Sequence, residues 1–180
     1  MTGTRLQAFL LLALANLFWS GNWIAGRALR EAFEPATLNF WRWLIATLVL
    51  APFALPRLRG KTAALRRNAG ILLLLAPVVA LQGLWGATLS PLRWPGAAAA
   101  LGVAYMAVAA SVLAYIFWNR GVAAVGANAA GFTVHLLPAF GTLLAILFLG
   151  EAFAGFHAAG IATILAGVLL ATRAAPAARS

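Results

Sequence analysis

The chain has 180 residues, of which 64% are hydrophobic and only 9% are charged. A soluble domain carries about 25% charged residues, so this composition excludes a soluble globular protein and predicts one embedded in a lipid bilayer. The net charge of +10 does not indicate nucleic-acid binding, because the basic residues crowd the connections between apolar runs, where they orient membrane helices. The absence of cysteine excludes disulfides and thiol chemistry.

Six apolar runs are long enough, or nearly so, to cross a bilayer, which takes about 20 residues. They cover residues 6–26, 35–55, 69–89, 96–119, 127–149 and 156–171. The first run exceeds a signal-peptide core of about 7–15 residues and precedes further spans, so we expect a retained helix. Because the connections are short, the sequence predicts an all-α membrane protein, with one transmembrane domain over residues 1–180 built as a six-helix bundle.

Basic residues are distributed unequally between the two sides of this bundle. One side holds Arg5, Arg57, Arg59, Lys61, Arg66, Arg67, Arg120, Arg173 and Arg179. The other side holds Arg27, Arg30 and Arg93, together with the three acidic residues, Glu31, Glu34 and Glu151. Since cytoplasmic loops are enriched in Lys and Arg, we expect both termini in the cytoplasm.

The first run carries a stripe of polar and aromatic residues. Asn16, Trp19, Ser20 and Trp23 fall at i, i+3, i+4 and i+7 and so share one face of a helix. A helix surrounded by lipid presents aliphatic side chains on every side, so this face is expected to meet a cavity or the protein interior. A structural interpretation stays open, because Trp is common at membrane interfaces and small polar residues help helices associate.

The second run contains the one basic residue that falls within a predicted span. Arg42 lies one helical turn from Asn39 and roughly 10 Å below the outer surface at about 1.5 Å per residue. We expect its side chain to reach back to the interface. Pairing with Glu31 or Glu34 would serve the same structural end.

The fourth run ends with a face near the cytoplasmic side. It contains Ser111, Tyr115, Trp118 and Asn119, spaced i, i+4, i+7 and i+8. Aromatic residues at that depth often form an interfacial belt, which is the alternative to a binding role.

The fifth run carries a comparable stripe, formed by Asn128, Gly131, His135, Pro138 and Thr142. Pro138 has no backbone N–H, so the carbonyl of Val134 loses its helical partner, and protein or a wet cavity must satisfy it. His135 is the histidine deep enough to act as a proton switch, although a packing role is equally open. In the last run, Gly160 and Gly167 share a stripe that predicts close helix packing.

Five segments together resemble the EamA-type drug/metabolite transporter superfamily, and within it the bacterial amino-acid exporters, aromatic ones included. They are L-F-W-S-G-N-W-I-A-G-R (17–27), P-A-T-L-N-F-W-R-W (35–43), A-S-V-L-A-Y-I-F-W-N-R-G-V (110–122), L-L-P-A-F-G-T-L-L-A-I-L-F-L-G-E (136–151) and I-A-T-I-L-A-G-V-L-L-A (161–171). The resemblance implies a fold of ten helices in two inverted five-helix repeats around a central cavity. By that resemblance, the residues that line the cavity are Trp19, Asn22, Trp23, Tyr115, Trp118, Asn128, His135 and Pro138.

Measured against that fold, the chain looks like a shortened member that lacks four central helices. Its first two runs resemble the family's first and second helices, and its last three resemble the eighth to tenth. Residues 69–89 look like the start of a third helix joined to the end of a seventh. Three arrangements stay open: a homodimer that restores the missing wall, a collapsed six-helix bundle, and a cavity filled by lipid. Whether the shortening is natural or engineered also stays open.

We therefore expect a multi-pass transporter of the bacterial inner membrane that exports small amphipathic metabolites, or lets them pass, including aromatic amino acids. The candidate substrate-binding residues are Asn16, Trp19, Ser20, Asn22, Trp23, Tyr115, Trp118, Asn119, Asn128, His135 and Pro138. Because no span contains a carboxylate, facilitated diffusion is favoured over tight proton coupling. The alternative is a structural bundle without transport activity.

Enzymatic activity is not expected from this sequence. Ser20 and His135 could be imagined as a nucleophile and its base, but Ser20 lies in no recognised nucleophile motif and no acidic residue within the membrane could orient the histidine. The sequence also contains no metal-ligand cluster, phosphate-binding loop or nucleotide motif, and no cofactor is expected.

Overall fold

A computed structural model of the chain describes residues 3–58, 60–67, 69 and 96–174. These residues form helices and no strand. The helices are α1 (Gly3–Ala28), α2 (Pro35–Leu58), α3 (Thr62–Arg67), α4 (Ala97–Tyr105), α5 (Ala114–Val125), α6 (Ala127–Thr133), α7 (Leu136–Leu149) and α8 (Gly155–Ala174). A π-helical segment, Met106–Leu113, joins α4 to α5 without a turn.

Four stretches are long and apolar enough to cross a membrane. They are Thr4–Ala28, Pro35–Arg57, Ala97–Val125 and Ala127–Leu149, and a shorter apolar helix covers Gly155–Ala171. The prediction of an all-α, multi-pass membrane protein is confirmed for this part of the chain. The predicted run 69–89 lies almost wholly outside the described residues, so the count of six spans stays a prediction, as does the cytoplasmic location of both termini.

The described residues fall into two compact units. Unit 1 comprises residues 3–28 and 112–174, and therefore contains α1 and α5 to α8. Unit 2 comprises the described residues between 29 and 111 and contains α2, α3, α4 and most of the π-helical segment. The expected single domain stays a prediction, and each unit is described by itself below.

Unit 1 is built on α1, which packs against α5, α6 and α7. Its buried apolar core consists of Ala8, Leu12, Val125, Ala129 and Ala130. Gly121 on α5 lies directly against α1, since a Cβ built there would be only 2.5 Å from Leu12 Cγ and 3.3 Å from the Ala8 carbonyl oxygen. The missing side chain thus permits the close approach of the two helices.

The fifth predicted run is one span, Ala127–Leu149, in which a short, tighter turn separates α6 from α7. α6 ends at Thr133 and α7 begins at Leu136. Pro138 cannot donate to the Val134 carbonyl, as expected, and protein satisfies this carbonyl instead, because Leu137 N–H donates to it at 2.9 Å. The donor comes three residues after the carbonyl, as in a 3₁₀ turn, instead of four residues after it, as in an α-helix. This tighter turn supplies the hydrogen bond that proline, without an N–H, cannot donate.

An ion pair connects the ends of two helices in unit 1. Arg27 Nη1, in the last turn of α1, lies 2.6 Å from Glu151 Oε1, just beyond α7. The end of α1 and the end of α7 are therefore on the same side of the unit, as the alternating topology predicts for these two residues.

The predicted close packing around Gly160 and Gly167 is not found in the part of the chain that the structure describes. A Cβ built at either glycine would meet no heavy atom within 4 Å. Most of α8 is exposed, so its small residues lie on an open surface.

In unit 2, α2 packs against α4. Glu34 Oε2 accepts a hydrogen bond from the Thr37 N–H at 3.0 Å, which satisfies one of the unpaired donors of the first turn of α2. Pro35 occupies the first helical position, where its missing N–H costs nothing.

Candidate functional site

Two polar side chains of α1 are fully buried within unit 1. Asn16 and Ser20 each have 0% exposure. Asn16 Nδ2 donates to the Leu12 carbonyl at 2.8 Å and to Thr133 Oγ1 at 3.2 Å. Ser20 Oγ lies 2.9 Å from the Leu137 carbonyl and 2.9 Å from that of Asn16, so its single proton is shared between two acceptors.

These contacts lie on both sides of the turn between α6 and α7. Thr133 is the last residue of α6, and Leu137 is the second residue of α7. Asn16 and Ser20, one turn apart on α1, therefore hold the two parts of this span against the same helix. We refer to Asn16, Ser20, Thr133 and Leu137 as the polar clasp.

Thr133 is a clasp residue that the sequence pattern did not indicate. Its hydroxyl receives the Asn16 amide and donates to the Ala130 carbonyl at 2.6 Å. A threonine bonded to its own helix is common and gives no signal by itself. Thr133 comes four residues after Ala129, and residues four apart share a face of a helix. This spacing is the signal that could have put Thr133 on the same face as the buried Ala129, which packs towards α1.

Two amide oxygens on α1 remain as hydrogen-bond acceptors. Asn16 Oδ1 and Asn22 Oδ1 are buried and have no partner among the described residues. The orientation of the Asn16 amide is fixed, because its other terminal atom faces a carbonyl oxygen and must be the nitrogen. A buried acceptor without a donor costs about 1–3 kcal/mol, so both positions favour a donor group as their neighbour.

Three aromatic rings form a cluster beside the clasp. The Trp19 ring centroid lies 5.4 Å from that of Tyr115, in an edge-to-face arrangement, and 5.3 Å from that of Trp118. Tyr115 is 46% exposed, and the two tryptophans are half-buried. The aromatic cluster thus has ring surface left for a further ring, at distances typical of aromatic pairs.

The remaining predicted residues lie apart from these contacts. Trp23, Asn119, Asn128, His135 and Pro138 are all exposed. The side of α6 that faces inward is formed by Ala129, Ala130 and Thr133 instead of Asn128, Gly131 and His135. Small residues take that position because α6 packs closely on α1.

Arg42, in unit 2, makes a contact across to the π-helical segment. Its Nε donates to Ser111 Oγ at 2.7 Å, and its guanidinium carbon lies 5.0 Å from the centroid of the Trp43 ring. Glu34 bonds to Thr37 instead, and Glu31 lies 3.7 Å from Arg30. The contact with Ser111 runs from α2 to the π-helical segment, a partner that the sequence pattern did not indicate.

The chain was compared with known protein families and proteins, and one family model matches it. The model of the EamA-like transporter family matches residues 6–68 and 61–173, which together span most of the chain. No solved structure matches the chain.

Two curated relatives are similar over shorter segments. An "Uncharacterized transporter" of Haemophilus influenzae is 48% identical over 50 residues, which are 28% of this chain and 29% of the relative. The "Putative permease-like protein YdzE" of Bacillus subtilis is 35% identical over 66 residues, which are 37% of this chain and 85% of the relative. The match therefore spans less than a third of the first relative and most of the second.

The aromatic cluster and two clasp residues, Ser20 and Leu137, lie in the segments that carry the resemblance, and the family model covers the whole clasp and cluster. Family membership points to a transporter and not to an enzyme. The chain belongs to the EamA-like transporter family.

Proposed function

We propose that the protein lets small amphipathic solutes cross the bacterial inner membrane, and that amino acids with aromatic or apolar side chains are among them. The observation that carries this proposal is the aromatic cluster of Trp19, Tyr115 and Trp118 within membrane-spanning helices, next to two buried amide acceptors on α1. Family membership supports transport as the activity.

The aromatic cluster is suited to the apolar part of such a solute. A ring that stacks on Trp19 or Trp118 gains burial and a favourable ring–ring geometry, which is worth about 0.5–1.5 kcal/mol beyond the buried area. Because the three rings are half-buried or exposed, they offer a surface for such contact without any rearrangement of the core.

The polar part of the solute requires hydrogen-bond partners. Asn22 provides an amide acceptor on α1, and an ammonium or amide N–H of the solute is the matching donor. Asn16 is 0% exposed, so its acceptor meets a solute only when the helices around it separate. Asn119, Asn128, His135, Pro138 and Trp23 are exposed, and we include them as residues that the solute meets along its path. Ser20 takes part through the clasp.

Facilitated diffusion is the transport mode that the sequence favours. All three acidic residues lie outside the membrane-spanning helices, and a carboxylate within the membrane is the usual relay for coupled protons.

A homodimer is the proposed source of the cavity wall that the four missing central helices would otherwise supply. Light scattering of the purified protein in detergent tests that state, and a strictly monomeric protein contradicts it.

Flux into liposomes tests the function. Purified protein is reconstituted, and uptake of radiolabelled L-phenylalanine is measured down its concentration gradient, with and without a pH gradient. We expect uptake above that of protein-free liposomes and equal rates in both conditions. Strict dependence on the pH gradient contradicts facilitated diffusion, and uptake equal to protein-free liposomes for a range of amino acids favours the non-transporting bundle.

A further inference from the structure

A basic surface follows directly after the span Pro35–Arg57. Basic side chains at the end of α2, in the turn that follows and on α3 are exposed: Arg57, Lys61, Arg66 and Arg67. We refer to these residues as the basic corner. Gly60 has a φ of +82°, a left-handed conformation that glycine adopts without strain, and it turns the chain between the two helices. The basic corner therefore begins where the apolar stretch ends, at the boundary of the membrane.

The side-chain carboxylates of the chain do not neutralise the basic corner. The chain has only three acidic residues. Glu31 and Glu34 precede α2, and Arg57 lies roughly 33 Å farther along that helix at about 1.5 Å per residue. Glu151 pairs with Arg27 at 2.6 Å. The positive charge of the basic corner is thus available to an anionic partner outside the chain.

The apolar face of α2 next to the basic corner is exposed as well. Phe53 is 63% exposed and Leu55 is 61% exposed, and both lie within the span. Phe53 and Arg57 are one helical turn apart and share a face. Arg57 Nη1 donates to the Phe53 carbonyl at 2.8 Å, which holds the guanidinium at the level of Phe53. Positive charge and apolar surface therefore adjoin on the same helix.

We propose that the basic corner and the adjoining face of α2 bind an anionic phospholipid. The phosphate group accepts hydrogen bonds from the basic side chains, and the acyl chains lie against Phe53 and Leu55. Clusters of Lys and Arg directly after a membrane helix attract anionic headgroups, and a guanidinium can donate to a phosphate through two parallel bonds. A soluble anion or a nucleic acid would use the charge and leave the apolar face without a partner, whereas a phospholipid matches both.

Competition between two lipids tests this preference without any variant. The full chain in phosphate-free maltoside micelles is mixed with equimolar phosphatidylglycerol and phosphatidylcholine that have identical acyl chains, and native mass spectrometry measures which lipid is retained. Each Lys or Arg near an anionic surface raises binding about fivefold. We therefore expect the protein to retain about tenfold more phosphatidylglycerol, or more, and this preference to decrease as ammonium acetate is added. Equal retention of the two lipids overturns the proposal.

Paired variants then assign the preference to the basic corner. In the double variant Arg66→Gln/Arg67→Gln we expect the preference to fall about fivefold or more. Arg27→Gln/Arg30→Gln is the matched control, because it removes the same charge from two arginines that each lie beside a carboxylate. This control should keep the full preference. A full preference in Arg66→Gln/Arg67→Gln, or an equal loss in the control, overturns the proposal.

The headgroup without its acyl chains tests whether the ligand is a lipid. Glycerophosphoglycerol carries the same phosphate as phosphatidylglycerol and is added as a competitor at the same concentration. We expect it to displace little of the bound lipid, because it makes no contact with Phe53 or Leu55. Phe53→Ala/Leu55→Ala should in turn reduce the retention of phosphatidylglycerol. If glycerophosphoglycerol competes as well as intact phosphatidylglycerol does, the basic corner is a site for soluble anions and the proposal is overturned.

Discussion

The side-chain amide of Asn16 reaches from α1 to Thr133 Oγ1, 117 residues later in the chain, at a distance of 3.2 Å. Thr133 is 2% exposed and Asn16 is 0% exposed, so the bond is shielded from both water and lipid. It attaches α1 to the last residue of α6, directly before the turn between α6 and α7.

A double-mutant cycle should detect this bond. Asn16→Ala, Thr133→Val and the double variant are compared for their free energy of unfolding in mixed micelles. We expect a coupling energy of about 0.6 kcal/mol, with roughly 2 kcal/mol as an upper limit, because hydrogen bonds between membrane helices are weak on average. Thr163→Val is the matched control, since Thr163 bonds only to its own helix on exposed α8. If Asn16→Ala couples as strongly to Thr163→Val as to Thr133→Val, a specific bond between Asn16 and Thr133 is ruled out.

Gly121→Ala should destabilise the protein. The new methyl group would lie 2.5 Å from Leu12 Cγ in a packed interface, and overpacking of this kind costs about 1–3 kcal/mol. Gly131→Ala is the control, because no heavy atom lies within 4 Å of a Cβ at that position, and alanine is favoured over glycine in a helix by about 0.5–1 kcal/mol. Thermal unfolding in detergent measures both, and a Gly121→Ala protein as stable as Gly131→Ala would contradict the packing of α1 on α5.

Trp19→Ala should reduce the flux of aromatic solutes more than that of aliphatic ones. Loss of a ring–ring contact worth about 0.5–1.5 kcal/mol corresponds to a decrease of about 2- to 10-fold. Liposome uptake of L-phenylalanine is compared with that of L-leucine for Trp19→Ala and Trp19→Phe. Phe148→Ala is the control, because Phe148 is 69% exposed and lies outside the aromatic cluster. The same decrease for both solutes would indicate a structural role for Trp19.

Breaking the ion pair between Arg27 and Glu151 should have little effect on stability. The two side chains are 57% and 40% exposed, and exposed pairs contribute up to about 1 kcal/mol and are screened by salt. Arg27→Gln and Glu151→Gln are each compared with the unaltered protein in low and high salt. If either variant lowers the free energy of unfolding by more than about 2 kcal/mol, and by the same amount in low and high salt, the expectation of a weak, screened ion pair is contradicted.

Much of the fold follows from the sequence. Long apolar runs predict membrane helices, and the helices from Thr4, Pro35, Ala97 and Ala127 onward were expected at nearly these bounds. The stripe on α1 was also informative, because Asn16 and Ser20 are indeed buried and Trp19 does meet Tyr115 and Trp118.

Periodicity failed at two places in the chain. The stripe through Asn128 and His135 is exposed, because α6 packs through its alanines and Thr133 instead. The contact between Arg42 and Ser111 depends on a π-helical segment, which shifts the helical register locally and leaves no pattern in hydropathy. Such features depend on tertiary packing, which single-sequence periodicity does not contain.

The hydroxyl of Ser20 has a further consequence for motion. Its proton lies within reach of one carbonyl on α1 and another on α7. If α7 swings away, the proton turns back to its own helix, and no buried donor is stranded in a medium that cannot solvate it. Among the side-chain hydrogen bonds between α1 and α7, departure of α7 thus forfeits only part of the Ser20 bond, which lowers the polar contribution to the barrier for opening this span.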